Sequence, residues 1–227
     1  MRPKIAVPIP ARTVNEASRM VRKARRLGAD LAEIRLDYLN RNEPIEKLAK
    51  IEPSPLIATF LSSRNRGARR TKEAKRIEAL IAAAEAGFSY VDVEIETRNL
   101  RSVIDKLRKA GAKTIASHHD FTGTASHHEL RKALQLCRGS GATLCKLVTM
   151  VRSLEDNLRL LALTREASRK SGLICFGMGE LGIQSRLLSP IYGAAFTFAS
   201  LDERTAVAPG QIPVSRMRRI YAEMGYQ

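Results

Sequence analysis

The chain is 227 residues long and carries 39 Lys and Arg against 23 Asp and Glu, a formal net charge of +16 with a pI near 10.3. A hydrophobic content of 44% beside 27% charged residues describes a soluble globular protein, and no apolar run approaches the roughly 20 residues that span a bilayer. Aromatic residues make up only 5% and no stacking platform accompanies the cations, so the charge reads as solvated helix faces that also attract anionic substrates, with no specific nucleic-acid site.

Short β-branched strands then alternate with amphipathic helices along the chain. The opening Arg2-Pro3-Lys4-Ile5-Ala6-Val7-Pro8 lacks the apolar core of a signal peptide and leads into a first strand over 4–8, which makes the cytoplasm the expected compartment. The pattern predicts helix 13–27, strand 31–36, helix 44–51 and strand 56–59. It continues with helix 71–86, strand 90–94, helix 98–110 and strand 113–117. Helix 126–137, strand 144–148, helix 154–170 and strand 173–178 follow, then helix 185–191, strand 194–198 and a last helix over 213–224. Along 71–86, Ala74, Ile77, Ala79, Leu80, Ile81 and Ala84 gather on one side, while Lys72, Arg76 and Glu78 are expected to face water. Ser126-His127-His128-Glu129 fits a capping box, and Gly28, Gly87, Gly111, Gly141 and Gly172 stand where left-handed C-caps end helices.

Eight βα units of about 28 residues each indicate an α/β protein folded as a (β/α)8 TIM barrel, a single domain over residues 1–227. An open doubly wound sheet fits less well, because no Gly-rich phosphate turn follows the first strand. Cys137, Cys145 and Cys175 form no CxxC pair and no metal-ligand spacing, so they read as reduced thiols used in packing.

In a barrel, reactive side chains belong at the C-terminal ends of strands. Glu33 and Arg35 lie on the second strand, His119 just beyond the fifth and Lys146 on the sixth. Arg186 follows the seventh and Ala208-Pro209-Gly210-Gln211 the eighth. Alternation puts Glu33 and Arg35 on one side of their strand, either as an internal ion pair or as part of a site, since charges inside a barrel are costly unless paired or used. A lysine in a dry site can form an imine with a ketone, and a nearby imidazole can move the protons. His118 is turned away by the same alternation, which leaves His119 as the expected base. His127 and His128 read as exposed helix-start residues, and no HxxxH face suggests a zinc site.

The set Glu33-Ile34-Arg35-Leu36-Asp37, Ser117-His118-His119-Asp120-Phe121, Lys146, Ser185-Arg186 and Ala208-Pro209-Gly210-Gln211 resembles type I 3-dehydroquinate dehydratase, in order and spacing, over nearly the whole chain. The resemblance implies a (β/α)8 lyase of the shikimate pathway in aromatic amino-acid biosynthesis, often homodimeric, that needs no metal or cofactor. Its substrate would be 3-dehydroquinate and its product 3-dehydroshikimate. Position by position, it implies Lys146 as the Schiff-base lysine and His119 as the general acid/base for syn loss of water. Glu33 and Arg35 would join the polar shell around the substrate, and Arg186 with Gln211 would hold its carboxylate. Burial near Arg35 and Arg186 is expected to keep Lys146 neutral.

The chain departs from the family pattern in three places. An arginine usually follows the Thr-Phe pair of the third strand, and here Thr59-Phe60 is followed by Leu61. A glutamate followed by glycines is replaced by Asn65-Arg66-Gly67, and the final-loop serine is Val207. Arg64 and Arg66 are the cations of that loop that could reach into the site instead. Two other readings stand beside the dehydratase: a class I aldolase-like lyase acting through Lys146 on another hydroxy-ketone, and a dehydratase-like binding or regulatory protein without efficient turnover.

Overall fold

The computed structural model describes residues 2–51, 55–167 and 172–226. Strands β1 (Ile5–Ile9), β2 (Leu31–Arg35), β3 (Leu56–Thr59), β4 (Tyr90–Glu94), β5 (Lys113–Asp120), β6 (Leu144–Met150), β7 (Gly172–Met178) and β8 (Thr197–Phe198) are parallel throughout. Each hydrogen-bonds its sequence neighbour from β1 to β7, and β8 joins β1. Across the remaining seam the Ala195 N–H donates to the Leu173 carbonyl at 2.8 Å, so the eight strands form a nearly closed barrel. Helices α1 (Val14–Arg26), α2 (Ile45–Ala49), α3 (Glu73–Glu85), α4 (Leu100–Lys109), α5 (His127–Gly139), α6 (Leu154–Ala167), α7 (Ile183–Leu188) and α8 (Val214–Glu223) follow the strands in turn. This is the single-domain (β/α)8 barrel that the strand–helix alternation predicts.

Period-two alternation sorts each strand into two faces. Ala32, Ile34, Ala58, Val91 and Val93 pack outward against the helices, as do Cys145 and Cys175 further round the sheet. The inward set is Ala6, Leu31, Ile57, Ile115, Val148, Ile174, Phe176 and Phe198. Interior side chains fill the barrel, leaving room for polar groups only toward the strands' C-terminal ends. All three cysteines are free and buried.

Local signals hold at most boundaries. Thr13 accepts from the Glu16 N–H, and Ser126 with Glu129 forms the full capping box. Gly28, Gly87, Gly111 and Gly141 have positive φ. Gly172 is not left-handed and opens β7 opposite Leu144, and the end of predicted helix 154–170, from 168 on, lies outside the described residues. β5 runs three residues beyond the predicted 117, to Asp120, because β6 continues to pair with it as far as Asp120 opposite Thr149. β8 is shorter than predicted, with only Thr197 and Phe198 in register with β1. On α3, Ala74 is exposed and Arg76 is buried, the reverse of the expected stripe. Arg76 donates to Glu94 at 2.6 Å and to the Phe60 carbonyl at 2.8 Å. Those two acceptors offset the cost of removing the guanidinium from water.

Candidate active site

The charged residues of β2, β4 and β6 meet inside the barrel because each occupies an inward register position. Lys146, 5% exposed, directs Nζ to Asp92 Oδ2 at 2.9 Å and Glu33 Oε1 at 3.5 Å. Each carboxylate has a second donor: Thr59 Oγ1 to Glu33 at 2.9 Å, and Ser117 Oγ to Asp92 at 2.5 Å. The ammonium also lies 4.5 Å from the centroid of the Phe198 ring, whose π face attracts a cation. Burial pushes the amine down, but Asp92 and Glu33 outweigh it, and the pKa lies above that of an ordinary lysine. The expectation of a neutral amine is therefore corrected: the two carboxylates act on Lys146 more strongly than Arg35, which was expected to suppress the charge.

His119, one alternation step inward on β5, is partly buried, and its Nδ1 is sealed from solvent with no hydrogen-bond partner among the described residues. Burial first, and the charge of Lys146 second, hold the imidazole well below its usual pKa, so it stands neutral at physiological pH. Its ring stacks on Phe121 with centroids 6.2 Å apart and planes inclined by 14°. His118 points the other way and meets Glu96 at 3.0 Å.

Arg35 does not pair with Glu33. It donates twice to Asp37, at 2.9 and 2.6 Å, in a buried bidentate contact, while still lining the cavity. Arg186, in the last turn of α7 and 1% exposed, donates to carbonyls, Phe198 at 3.3 Å, Gly177 at 3.1 Å and Pro209 at 3.3 Å, with its guanidinium carbon 4.4 Å from the Phe176 ring centroid. Its Nε is buried without a hydrogen-bond partner among the described residues, and burial alone lowers its pKa to about 9. A buried guanidinium with no carboxylate beside it among the described residues has the chemistry to receive an anion.

The loop 207–211 closes this side. Gln211 Oε1 accepts from the Val207 N–H at 2.9 Å, which leaves the side-chain amide nitrogen as the group available to a ligand. Gly210 has φ +75°, and a Cβ there would run into the Gly179 carbonyl, so only glycine lets this loop lie against the β7–α7 connection.

One cavity of about 90 Å³ joins these groups; Glu33, Arg35, His119, Lys146, Arg186 and Gln211 all line it. Every site residue expected from the sequence is thus brought to one place. Leu61, Asn65, Arg66 and Val207, where the family pattern fails, line it as well. Asp92 was missed. Its signal was present in Tyr90-Val91-Asp92-Val93-Glu94, where two acids alternate with valines as Glu33 and Arg35 do with Ile34.

Fold and site together define a (β/α)8-barrel enzyme whose ionisable groups converge at the C-terminal mouth. A profile of the type I 3-dehydroquinase family matches residues 5–227, and the chain belongs to that family of hydro-lyases in the shikimate route to aromatic amino acids. A 3-dehydroquinate dehydratase from Dehalococcoides mccartyi is 39% identical over 199 residues, covering 88% of each chain. The crystal structure of 3-dehydroquinate dehydratase from Geobacillus kaustophilus superposes with a TM-score of 0.91 at 27% identity, over 99% of this chain and 92% of that one. The type I enzyme of Clostridium difficile, solved with covalent modified comenic acid, gives 0.87 at 26% identity, over 98% and 92%. No helix among the described residues is long and apolar enough to cross a membrane.

Proposed function

We propose that this chain dehydrates 3-dehydroquinate to 3-dehydroshikimate through an imine on Lys146, with His119 as the proton carrier. The observation that carries the reading is an amine held between two carboxylates in the same cavity as a neutral imidazole whose Nδ1 has no hydrogen-bond partner among the described residues. The lysine must first lose a proton, and Asp92 at 2.9 Å is the nearest acceptor. The free amine adds to the substrate ketone, and water leaves to give a protonated imine. That iminium is a cation in the same place as the original ammonium, so the acids that raise the lysine pKa also stabilise it.

His119 then removes the proton from the carbon beside the imine; the C–H electron pair forms a C=C bond and the C=N π pair moves onto nitrogen, giving an enamine. The enamine expels the β-hydroxyl, to which the imidazolium returns the proton, so water leaves and the ring is neutral again. Hydrolysis of the product imine frees Lys146. Arg186 binds the substrate carboxylate and Gln211 adds an amide donor, fixing the ring against the amine. Glu33 and Arg35 complete the polar wall.

Borohydride trapping with 3-dehydroquinate, followed by peptide mass mapping, tests this directly. An adduct on Lys146 together with dehydroshikimate absorbance is expected, and Lys146→Ala should remove both. His119→Ala should slow turnover by about 100-fold or more, within the usual range for an acid–base group. Binding with neither adduct nor product would establish the regulatory reading instead, and aldol cleavage of other hydroxy-ketones the aldolase-like one. Sedimentation at several concentrations decides the homodimer that the family resemblance suggests.

A further inference from the structure

We infer that Arg66, from the loop after β3, is a substrate-contacting residue that supplies the cation missing at position 61. The inference rests on the dehydratase reading above and assigns its second binding wall.

The residues where a donor would be expected on this wall cannot provide one. Leu61 lines the cavity but is apolar. Asn65 turns its amide into the protein, donating to Glu94 Oε1 at 2.7 Å. Arg64 is exposed and lines a neighbouring groove with Glu94, Glu96 and Arg98. Arg69 is committed to the carbonyls of Leu39 and Leu36. Arg66 is exposed like Arg64, but it differs from all of these in bringing a cation to the cavity wall. It lines the cavity, and its guanidinium carbon sits 4.3 Å from the Phe121 ring centroid, on the ring that stacks with His119. No carboxylate pairs with it among the described residues.

The backbone holds it there from both sides. Ser62 N–H and Oγ donate to Glu94, and the Ala68 N–H donates to Asp37 Oδ2 at 2.8 Å. Between those anchors Ser63–Asn65 makes one 3-10 turn, Arg66 takes a left-handed conformation with φ 59°, and the Gly67 N–H returns to the Ser62 carbonyl at 2.8 Å. A Cβ on Gly67 would overlap the Leu61 carbonyl, so the turn needs glycine there. An arginine in a strained conformation, between two fastened ends and resting on an aromatic face, is pre-ordered for a ligand.

Strand order supplies the geometry of recognition. β3 and β7 stand four places apart in a ring of eight, so Arg66 and Arg186 approach the cavity from opposite walls. With the substrate carboxylate on Arg186, Arg66 meets the hydroxyl-bearing far edge of the ring. The class selected is a carboxylated, polyhydroxylated ring ketone.

Steady-state kinetics with 3-dehydroquinate test the assignment in Arg66→Ala, Arg66→Gly, Arg66→Lys and Arg64→Ala. Loss of a charge-assisted contact made equally in ground and transition states should raise KM by about tenfold in Arg66→Ala with little change in kcat. Arg66→Gly, which also relieves the positive φ, should show the same rise, separating the lost cation from the backbone. Arg66→Lys should recover part of it, and Arg64→Ala should keep the original KM. An unchanged KM in the alanine and glycine variants, or an equal rise in Arg64→Ala, overturns the inference. An unsubstituted enzyme giving neither product nor a borohydride adduct would overturn the dehydratase reading itself, so the two failures are distinct.

Discussion

Burial drives the Lys146 proton off, while Asp92 and Glu33 hold it on more strongly, so the ammonium persists until a substrate displaces the arrangement. Asp92→Asn removes the nearer carboxylate. The amine pKa should then fall, and the pH at which cyanoborohydride trapping reaches half its maximal rate should move down with it. Stability changes too, because breaking a buried ion pair leaves a charge poorly compensated. A loss of about 3 kcal/mol at pH 7, measured by urea unfolding, is expected. The sign follows from a raised folded pKa: the pair stabilises fully below the unfolded lysine value of about 10.4, and its contribution fades as pH rises through the folded value. On the lysine side, the gap between variant and parent should therefore shrink as the solution is made alkaline. His119 shifts in the opposite sense. Its ring is neutral down to well below pH 6.5, so the acid limb of kcat/KM assigned to this residue should lie below that of a free imidazole. In Lys146→Met, where the nearby ammonium is gone, the NMR titration of His119 should move upward while burial keeps it below the usual range.

At the scale of elements, Glu94 at the end of β4 organises the loop that precedes α3. It accepts from the Ser62 N–H, Ser62 Oγ, Asn65 and Arg76, thereby joining β4, the loop and the buried face of α3. Glu94→Gln strands the Arg76 guanidinium and should destabilise the fold by about 3 kcal/mol. Combining it with Arg76→Met should cost less than the sum of the two single changes, a coupling that thermal or urea melts of all four proteins would reveal. The same network explains what could be read from the sequence and what could not. Strand and helix positions were legible because hydrophobic period and helix-ending glycines are local signals, and the site residues were legible because inward charges on strands are costly. Arg76 was not legible: helical spacing alone puts it on the solvent side, and only the distant Glu94 and Phe60 carbonyl make its burial favourable. Nor could one chain decide between Arg64 and Arg66, since the choice depends on how Asn65 and Gly67 fold the turn between them.

The whole molecule adds a field to these contacts. Of its net charge of +16, much lies on exposed helix positions such as Arg22, Lys23, Arg26, Lys72, Lys75, Arg216 and Arg219. The cavity is lined by Arg66, and the loop that carries it also holds the exposed Arg64 and Arg70. A substrate carrying a carboxylate approaches down this gradient, and low-dielectric walls concentrate field lines toward the opening. Mobile ions screen such long-range attraction over a Debye length of about 10 Å at 0.1 M salt, whereas the buried Arg186 is shielded from them. Raising salt from low to moderate ionic strength should therefore lower kcat/KM several-fold while leaving kcat nearly constant. An uncharged ester of the substrate, if turned over, should show a flat response. A charge-reversal variant of three remote helix cations, Arg22, Lys23 and Arg26 to Glu, would weaken the salt dependence if the global field steers the substrate. If that variant behaves like the parent, attraction belongs to the loop at the mouth alone, and the surplus charge on the helices serves solubility rather than capture.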